Sequence, residues 1–360
     1  FVEVNYLIDR QINDFKNLLG FFLKTQTDKT FRKASYKEFW RVQESIISIV
    51  AKLKPEKIFL EINIAEYFLF FKKSNIETEL FSIYLPTKRR KGIPPLDSSF
   101  VPSDTLLSNF VCEYLWVQYK IKRYFQNIPN KVAFWNCSDD FYFRRFCKKN
   151  KLEFESILST NYFHSRGINS LKNNILCSKT LEFPTFKAFP NEVFHENVRF
   201  RSEFNNQSDE NQSLINILRE RKVQGFKIIL MSFGTFAYGN QQVDSFIEKI
   251  IAVISEMPNV FLLISHVGNF KKINNEKVRS FEWLPQLQVL EYAILMITHG
   301  GLGTYKECVD ARVKMLVAPI NLALDQIGNS ARIQKNGFGN HIMLTTNQHK
   351  LKSMISNSLI

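Results

Sequence analysis

The stretch Thr298-His299-Gly300-Gly301-Leu302-Gly303-Thr304 places three glycines and a histidine between an apolar run and a helix-forming segment. Glycines let the backbone come close to a ligand, and the free N–H groups of a helix start carry partial positive charge. That combination suits a diphosphate. His299 can add a donor there, or it can be a capping or core histidine. Two other phosphate motifs fail on the same chain. Gly301-x-Gly303 is followed by Lys306 where a dinucleotide fingerprint needs glycine, which disfavours NAD. The spacing of Gly234 and Gly239 imitates a nucleotide-triphosphate loop, but Asn240-Gln241 follows in place of Lys and Ser/Thr, which disfavours an NTPase.

Three further features sit near it in type and order. Ser232-Phe233-Gly234-Thr235 offers two hydroxyls and a glycine to a phosphate, or forms an ordinary turn. Trp283-Leu284-Pro285-Gln286 precedes a helix with Pro at its first position and can lay an aromatic plane on a nucleobase; buried in a core is its other reading. Asp325-Gln326 can hydrogen-bond sugar hydroxyls, and Glu307 can accept from a ribose diol.

Elements alternating regularly along the chain would position these residues. The pattern predicts strands at 227–233, 260–265, 294–298 and 315–318, and helices at 243–256, 287–292, 304–309 and 326–335, the last ended by Gly337. Apolar strands alternating with helices indicate a parallel sheet covered on both faces, with ligands where strands end in loops. In the first half, Pro55 introduces a strand at 58–60, followed by a helix at 65–72 and a strand at 79–85. A Pro-rich loop then leads to a long aromatic helix at 106–125, capped by Ser103 or Asp104, and a short strand at 174–178. Phe110, Tyr114, Trp116, Val117 and Tyr119 of that helix read as core or as the wall of an apolar pocket. The polar, Asn-rich stretch 185–212 is the expected interdomain connection, dividing the chain into 1–196 and 197–360.

Composition bounds the class. At 360 residues, 45% hydrophobic and 23% charged, the chain has room for two globular domains. Its formal charge of +14 suits an anionic ligand, with clusters at Lys88-Arg89-Arg90-Lys91 and around Arg144, Arg145, Lys148, Lys149 and Lys151. These read as a solvated basic face or as peripheral contact with an anionic membrane; nucleic acid is not an expected partner. Five cysteines without a C-x-x-C pair indicate neither a disulfide framework nor a zinc site, and fit a cytoplasmic setting. No apolar run approaches the ~20 residues that span a bilayer. The chain opens on Phe1 in a stretch, 1–8, that reads as a strand already under way.

Taken together, Trp283-x-Pro285-Gln286, Leu290, Thr298-His299-Gly300-Gly301, Thr304, Glu307, Pro319, Asp325-Gln326 and Asn329 resemble the donor signature of the UDP-glycosyltransferases, especially the bacterial macrolide-type branch. Ser232-Phe233-Gly234-Thr235 and, more loosely, Pro94-Pro95 and the strand near Cys177 join that resemblance. It implies an α/β chain of GT-B architecture, two Rossmann-like domains facing a cleft: an acceptor-binding domain at 1–196 and a nucleotide-sugar-binding domain at 197–360. By that analogy Trp283, Gln286 and Glu307 hold the nucleoside. Ser232, Thr235, His299, Gly301, Gly303 and Thr304 line the diphosphate, and Asp325 and Gln326 hold the hexose. The implied reaction is an inverting transfer of a hexose from a UDP-sugar or dTDP-sugar to a hydroxyl of an apolar small-molecule acceptor. The alternatives are a lipid or cell-wall transferase of the same fold, and a nucleotide-sugar-binding subunit without catalysis.

No metal or other cofactor is expected, since no two aspartates are spaced as Asp-x-Asp. The chain departs from the family in having Gly303 where Asn is usual and Tyr292 where His is usual. The family's general base is a histidine after the first strand, whereas the first histidine here is His164. The catalytic base is therefore expected upstream of Phe1, with about 40 to 60 residues preceding it, and the chain is expected to stop before a final helix.

Overall fold

The computed structural model describes residues 29–133, 138–196, 198, 209–234, 237–265 and 273–359. The expected strand at 1–8, Thr235 and Cys137 lie outside them. Among the described residues the chain forms two parallel sheets, one on each side of residue 197.

The first unit runs α1 (Lys29–Leu53), β1 (Lys57–Glu61), short helical turns across 62–74, β2 (Glu77–Ser82), α2 (Leu106–Ala133), α3 (Asp139–Asn150), β3 (Asn173–Ile175) and β4 (Glu192–Phe194). Its sheet has the order β1-β2-β3-β4, all parallel. Helix α2 starts as expected but is capped by Thr105, whose hydroxyl accepts from Ser108 N, rather than by Ser103 or Asp104. The aromatic stripe of α2 divides: Trp116 and Tyr119 are buried, while Phe110, Tyr114 and Val117 face outward. The strand expected at 174–178 is shorter, because after Ile175 the chain turns into the helical turn Lys179–Leu181, capped by Ser178.

The second unit runs α4 (Asp209–Val223), β5 (Lys227–Ser232), α5 (Gln241–Ser255), β6 (Val260–Ser265), β7 (Val278–Phe281), α6 (Gln286–Leu290), β8 (Ala293–Thr298), α7 (Leu302–Asp310), β9 (Lys314–Val317), α8 (Gln326–Lys335), β10 (Gly339–His341) and α9 (Gln348–Ser358). The sheet order is β10-β9-β8-β5-β6-β7, all parallel, a doubly wound arrangement. Alternate residues of β5 enter opposite cores: Ile228 and Leu230 pack with α4 and α7, Ile229 and Met231 with α5 and α9. The apolar stripe of α5 at i, i+3, i+4 spacing explains its side: Val243, Phe246, Ile247 and Ile250 are fully buried. Asn240 caps that helix by accepting from Gln242 N and Val243 N. Gly337, at φ +75°, ends α8 in the left-handed conformation that a glycine adopts without strain.

The two units share one core and several polar ties. Leu85, Leu96, Trp116 and Leu181 join the cluster that contains α7 and Ile333 of α8. Gly328 N donates to Leu96 O at 2.9 Å. A Cβ at Gly328 would lie 2.2 Å from that carbonyl oxygen, so only glycine fits. Tyr305 Oη donates to Leu181 O, and Lys306 Nζ to Leu176 O and Val198 O. Arg332 Nε donates to Glu182 Oε2 at 2.8 Å with both side chains out of solvent. The expected basic cluster Lys88–Lys91 is largely consumed by similar contacts. Arg90 pairs with buried Glu192, Arg89 pairs with Glu113, and Lys88 lies over the Phe189 ring.

The Glu182–Arg332 pair is joined through one hydrogen bond, and Glu182 Oε1 and Arg332 Nη2 are buried without partners among the described residues. Removing one member leaves a buried charge, which costs about 3–5 kcal/mol. Replacing both by apolar residues removes the desolvation penalty as well. Urea unfolding of Glu182→Ala is therefore expected to show a large loss of stability, and Glu182→Leu with Arg332→Met to recover most of it. A double variant no better than the single would contradict this.

Candidate functional site

The sheet order reverses between β5 and β8, which are neighbours in register with Ser232 opposite Thr298. Helices α5 and α7, which follow them, pack on opposite faces. A crevice therefore opens beyond the strand ends, and Ser232, Gly234 and His299 meet there.

The loop from Thr298 to Gly301 is fixed from below. Gly300 sits at φ +89°, and a Cβ there would approach Val317 Cγ1 to 2.7 Å and Gln326 O to 3.1 Å. Both the backbone conformation and the space demand glycine. Asn329, fully buried on α8, donates to Gly300 O and to Asp325 Oδ2, each at 2.9 Å. Gly301 stands at the N-cap of α7 without any side-chain cap. The amides at the start of this helix are thus directed at the crevice rather than at a capping side chain. Gly303 and Thr304 lie in that first turn.

His299 is held between two glycines. A Cβ at Gly301 would come within 2.7 Å of its Nε2, and one at Gly234 within 3.3 Å of its Cε1. Its Nδ1 is buried with no partner among the described residues. An orphaned buried polar atom of this kind calls for an explanation, and a ligand oxygen would supply one. Burial depresses the imidazole pKa to about 4, so the ring is neutral at ordinary pH.

The nucleoside candidates form a second group beside the first. Gln286 Nε2 donates to Glu307 Oε2 at 2.6 Å and to Thr304 Oγ1 at 3.3 Å. Thr304, expected against the diphosphate, is therefore tied to the Gln286–Glu307 pair. All three are nearly buried, whereas Trp283 is 61% exposed and presents an open ring face. Pro285 is the N-cap of α6 rather than its first helical residue, and the helix runs from Gln286 rather than from 287.

Asp325 and Gln326 open α8 on the far side of the loop. Burial raises the Asp325 carboxyl above its usual range, opposed by the Asn329 hydrogen bond. Gln326 is 2% exposed, and its Oε1 accepts from Ile320 N and Asn321 N, holding the loop after β9. The structure thus gives Gln326 a backbone-clamping role that its motif did not announce.

Across the cleft, sequence reasoning passed over Glu61 and Tyr84. Glu61 ends β1, accepts from Asn63 N at 2.8 Å and keeps Oε1 buried without a partner among the described residues. Burial raises its carboxyl. Burial likewise raises the Tyr84 phenol, and both Asp325 and Glu61 push in the same direction. An acidic residue at the end of a predicted strand was the available signal. His164, the first histidine of the chain, is a strap between the units: its Nε2 lies 2.8 Å from Ala323 O.

The depressed pKa of His299 has a definite sign. Between its unfolded value of 6.5 and its folded value of about 4, the unfolded state binds more protons. Stability from burying the neutral ring is complete above pH 6.5 and is lost as pH falls toward 4, up to about 3 kcal/mol. In a magnetic-resonance titration of the free protein, the His299 ring signal is expected to stay flat from pH 8 to about 5. A midpoint near 6.5 would refute the buried neutral form.

No family model matches the chain. It is 27% identical over 125 residues to the oleandomycin glycosyltransferase of Streptomyces antibioticus, covering 33% of this chain and 27% of that protein. It is 25% identical over 167 residues to UDP-glucuronosyltransferase 3A1 of Xenopus laevis, covering 45% of this chain and 30% of that one. The matched stretches thus span less than a third of these relatives' lengths. The crystal structure of the glycotransferase of kitacinnamycin superposes with a TM-score of 0.60 at 16% identity, over 92% of this chain and 75% of that one. Over these stretches the chain is similar in sequence to glycosyltransferases, and over nearly its whole length it has the GT-B fold.

Proposed function

We propose that the chain binds a nucleoside-diphosphate sugar in the crevice between β5 and β8 and serves the transfer of its hexose to a hydroxyl of an apolar small molecule. The observation that carries this reading is the orphaned Nδ1 of His299, cradled by Gly234 and Gly301 beside the uncapped start of α7. A diphosphate oxygen placed there would receive the α7 amides and meet the His299 ring. Trp283 would cover the base, and the Gln286–Glu307 pair would turn toward the ribose. Asp325 would accept from hexose hydroxyls.

In such a site the diphosphate leaves with its developing charge already faced by fixed dipoles. The reading is of an inverting, metal-independent transfer, in which a single displacement needs a base on the acceptor side and electrostatic support on the donor side. The donor is a UDP-sugar or dTDP-sugar. The residues assigned in this chain all serve the donor.

Calorimetry with UDP, UDP-glucose and dTDP-glucose tests the assignment. Binding of at least one of these is expected, and it should weaken about tenfold or more, about 1.4 kcal/mol, in His299→Ala, Glu307→Ala and Trp283→Ala. A bound diphosphate would also raise the His299 pKa toward its ordinary value. Affinity unchanged in all three variants would overturn the site.

A further inference from the structure

Helix α2 is apolar on two opposite faces, and only one of them is packed. Cys112, Trp116 and Tyr119 are buried, with Trp116 Nε1 donating to Ile93 O. At about 100° per residue, Leu107, Phe110, Tyr114, Val117, Ile121 and Phe125 fall on the other side, within an arc of about 80°. The stripe extends along about 27 Å of the helix. All six are exposed, Leu107 at 74% and Phe110 at 70%. Side chains this exposed form a ridge rather than the walls of a groove.

The charges beside the ridge select its partner. Glu113 is the single acidic residue of α2, and it is paired with Arg89. Lys120 and Lys122 flank the stripe on its two sides, while Arg123 lies on the packed face and donates to Tyr119 Oη; the chain carries a net charge of +14. A second copy of the chain would bring these cations against their own equivalents. A convex apolar ridge with basic flanks and a tyrosine hydroxyl at Tyr114 complements a fluid anionic surface instead. We propose that α2 is a lipid-docking helix, lying along the headgroup region of an anionic bilayer with Phe110, Val117 and Phe125 inserted. It is a different place from the two basic clusters, in which Arg89, Arg90 and Arg144 are ion-paired within the protein. Among the described residues no helix is long and apolar enough to cross a membrane, so this contact lies on the surface.

The test is co-sedimentation of the whole protein with vesicles of phosphatidylcholine containing about a third phosphatidylserine, against phosphatidylcholine alone. Binding to the anionic vesicles is expected, weakened by salt and by Lys122→Glu, and reduced about tenfold or more in Phe110→Ser with Phe125→Ser. These positions are exposed, and circular dichroism checks that the variant keeps its fold. As a second readout, fluorescence of Val117→Trp should be quenched by brominated lipid tails. The proposal is overturned by wild-type protein that ignores both vesicles, or by serine variants that bind as before. A dimer in sedimentation equilibrium that the serine substitutions dissolve would overturn it too, giving the ridge to a second copy. Nucleotide binding is untouched by any of these outcomes, so this inference and the donor site stand or fall separately.

Discussion

Neighbouring parallel strands whose following helices leave to opposite faces cannot close the space beyond their own ends. In this chain β5 and β8 are that pair, and the candidate chemistry depends on the gap between them. The gap would collapse if the loops after the strands were free to fill it. They are held back by the layer beneath: Val317 and Gln326 press on Gly300, and Asn329 fixes its carbonyl. Precision at the glycine loop 298–301 is therefore borrowed from β9 and α8.

The same layer also joins the two units, by polar as well as apolar means. Glu182 and Arg332 are each taken wholly out of water for one mutual hydrogen bond. Desolvating two charges offsets most of what their attraction returns, so the pair adds little to net stability. It does select the docking position, since any displacement leaves both charges buried and alone. Gly328 enforces the same position sterically, because its backbone meets the Leu96 carbonyl directly.

How far the sequence was legible follows from where each signal is local. The α5 stripe and the strands β5, β6, β8 and β9 were readable because burial on one or both faces imposes an apolar pattern. Strands β7 and β10 escaped. They sit at the two edges of the sheet, are four and three residues long, and include Arg279 and Asn340. Edge strands carry half the burial and so half the signal. The loop 298–304 stood out in the sequence because it gathers three glycines, of which Gly300 is required by its positive φ and by the space around it. Gln326 was not, since its role as a clamp on Ile320 N and Asn321 N depends on a loop whose path no local pattern encodes. Helix α2 shows the same limit. Its aromatics were visible, but which of them face the core is decided by the Ile93 loop and Phe163 packing on one side only.

The docking of the units bears on how an acceptor and a donor would find one another. Tyr305 and Lys306 on α7, and Arg332 and Asn336 on α8, donate to groups of the segment 176–182, whose backbone carbonyls take most of these bonds. Helix α7 begins at the glycine loop, with Gly301 at its N-cap, and α8 begins at Asp325. The helices that carry the candidate donor residues are thus the ones that grip the first unit. A group held at the ends of β1 and β2, near Glu61 and Tyr84, is registered against the crevice through two rigid rods rather than through the connecting chain. Reaction geometry set in this way tolerates variation in the polar connector, but not in the faces of α7 and α8 that meet residues 176–182.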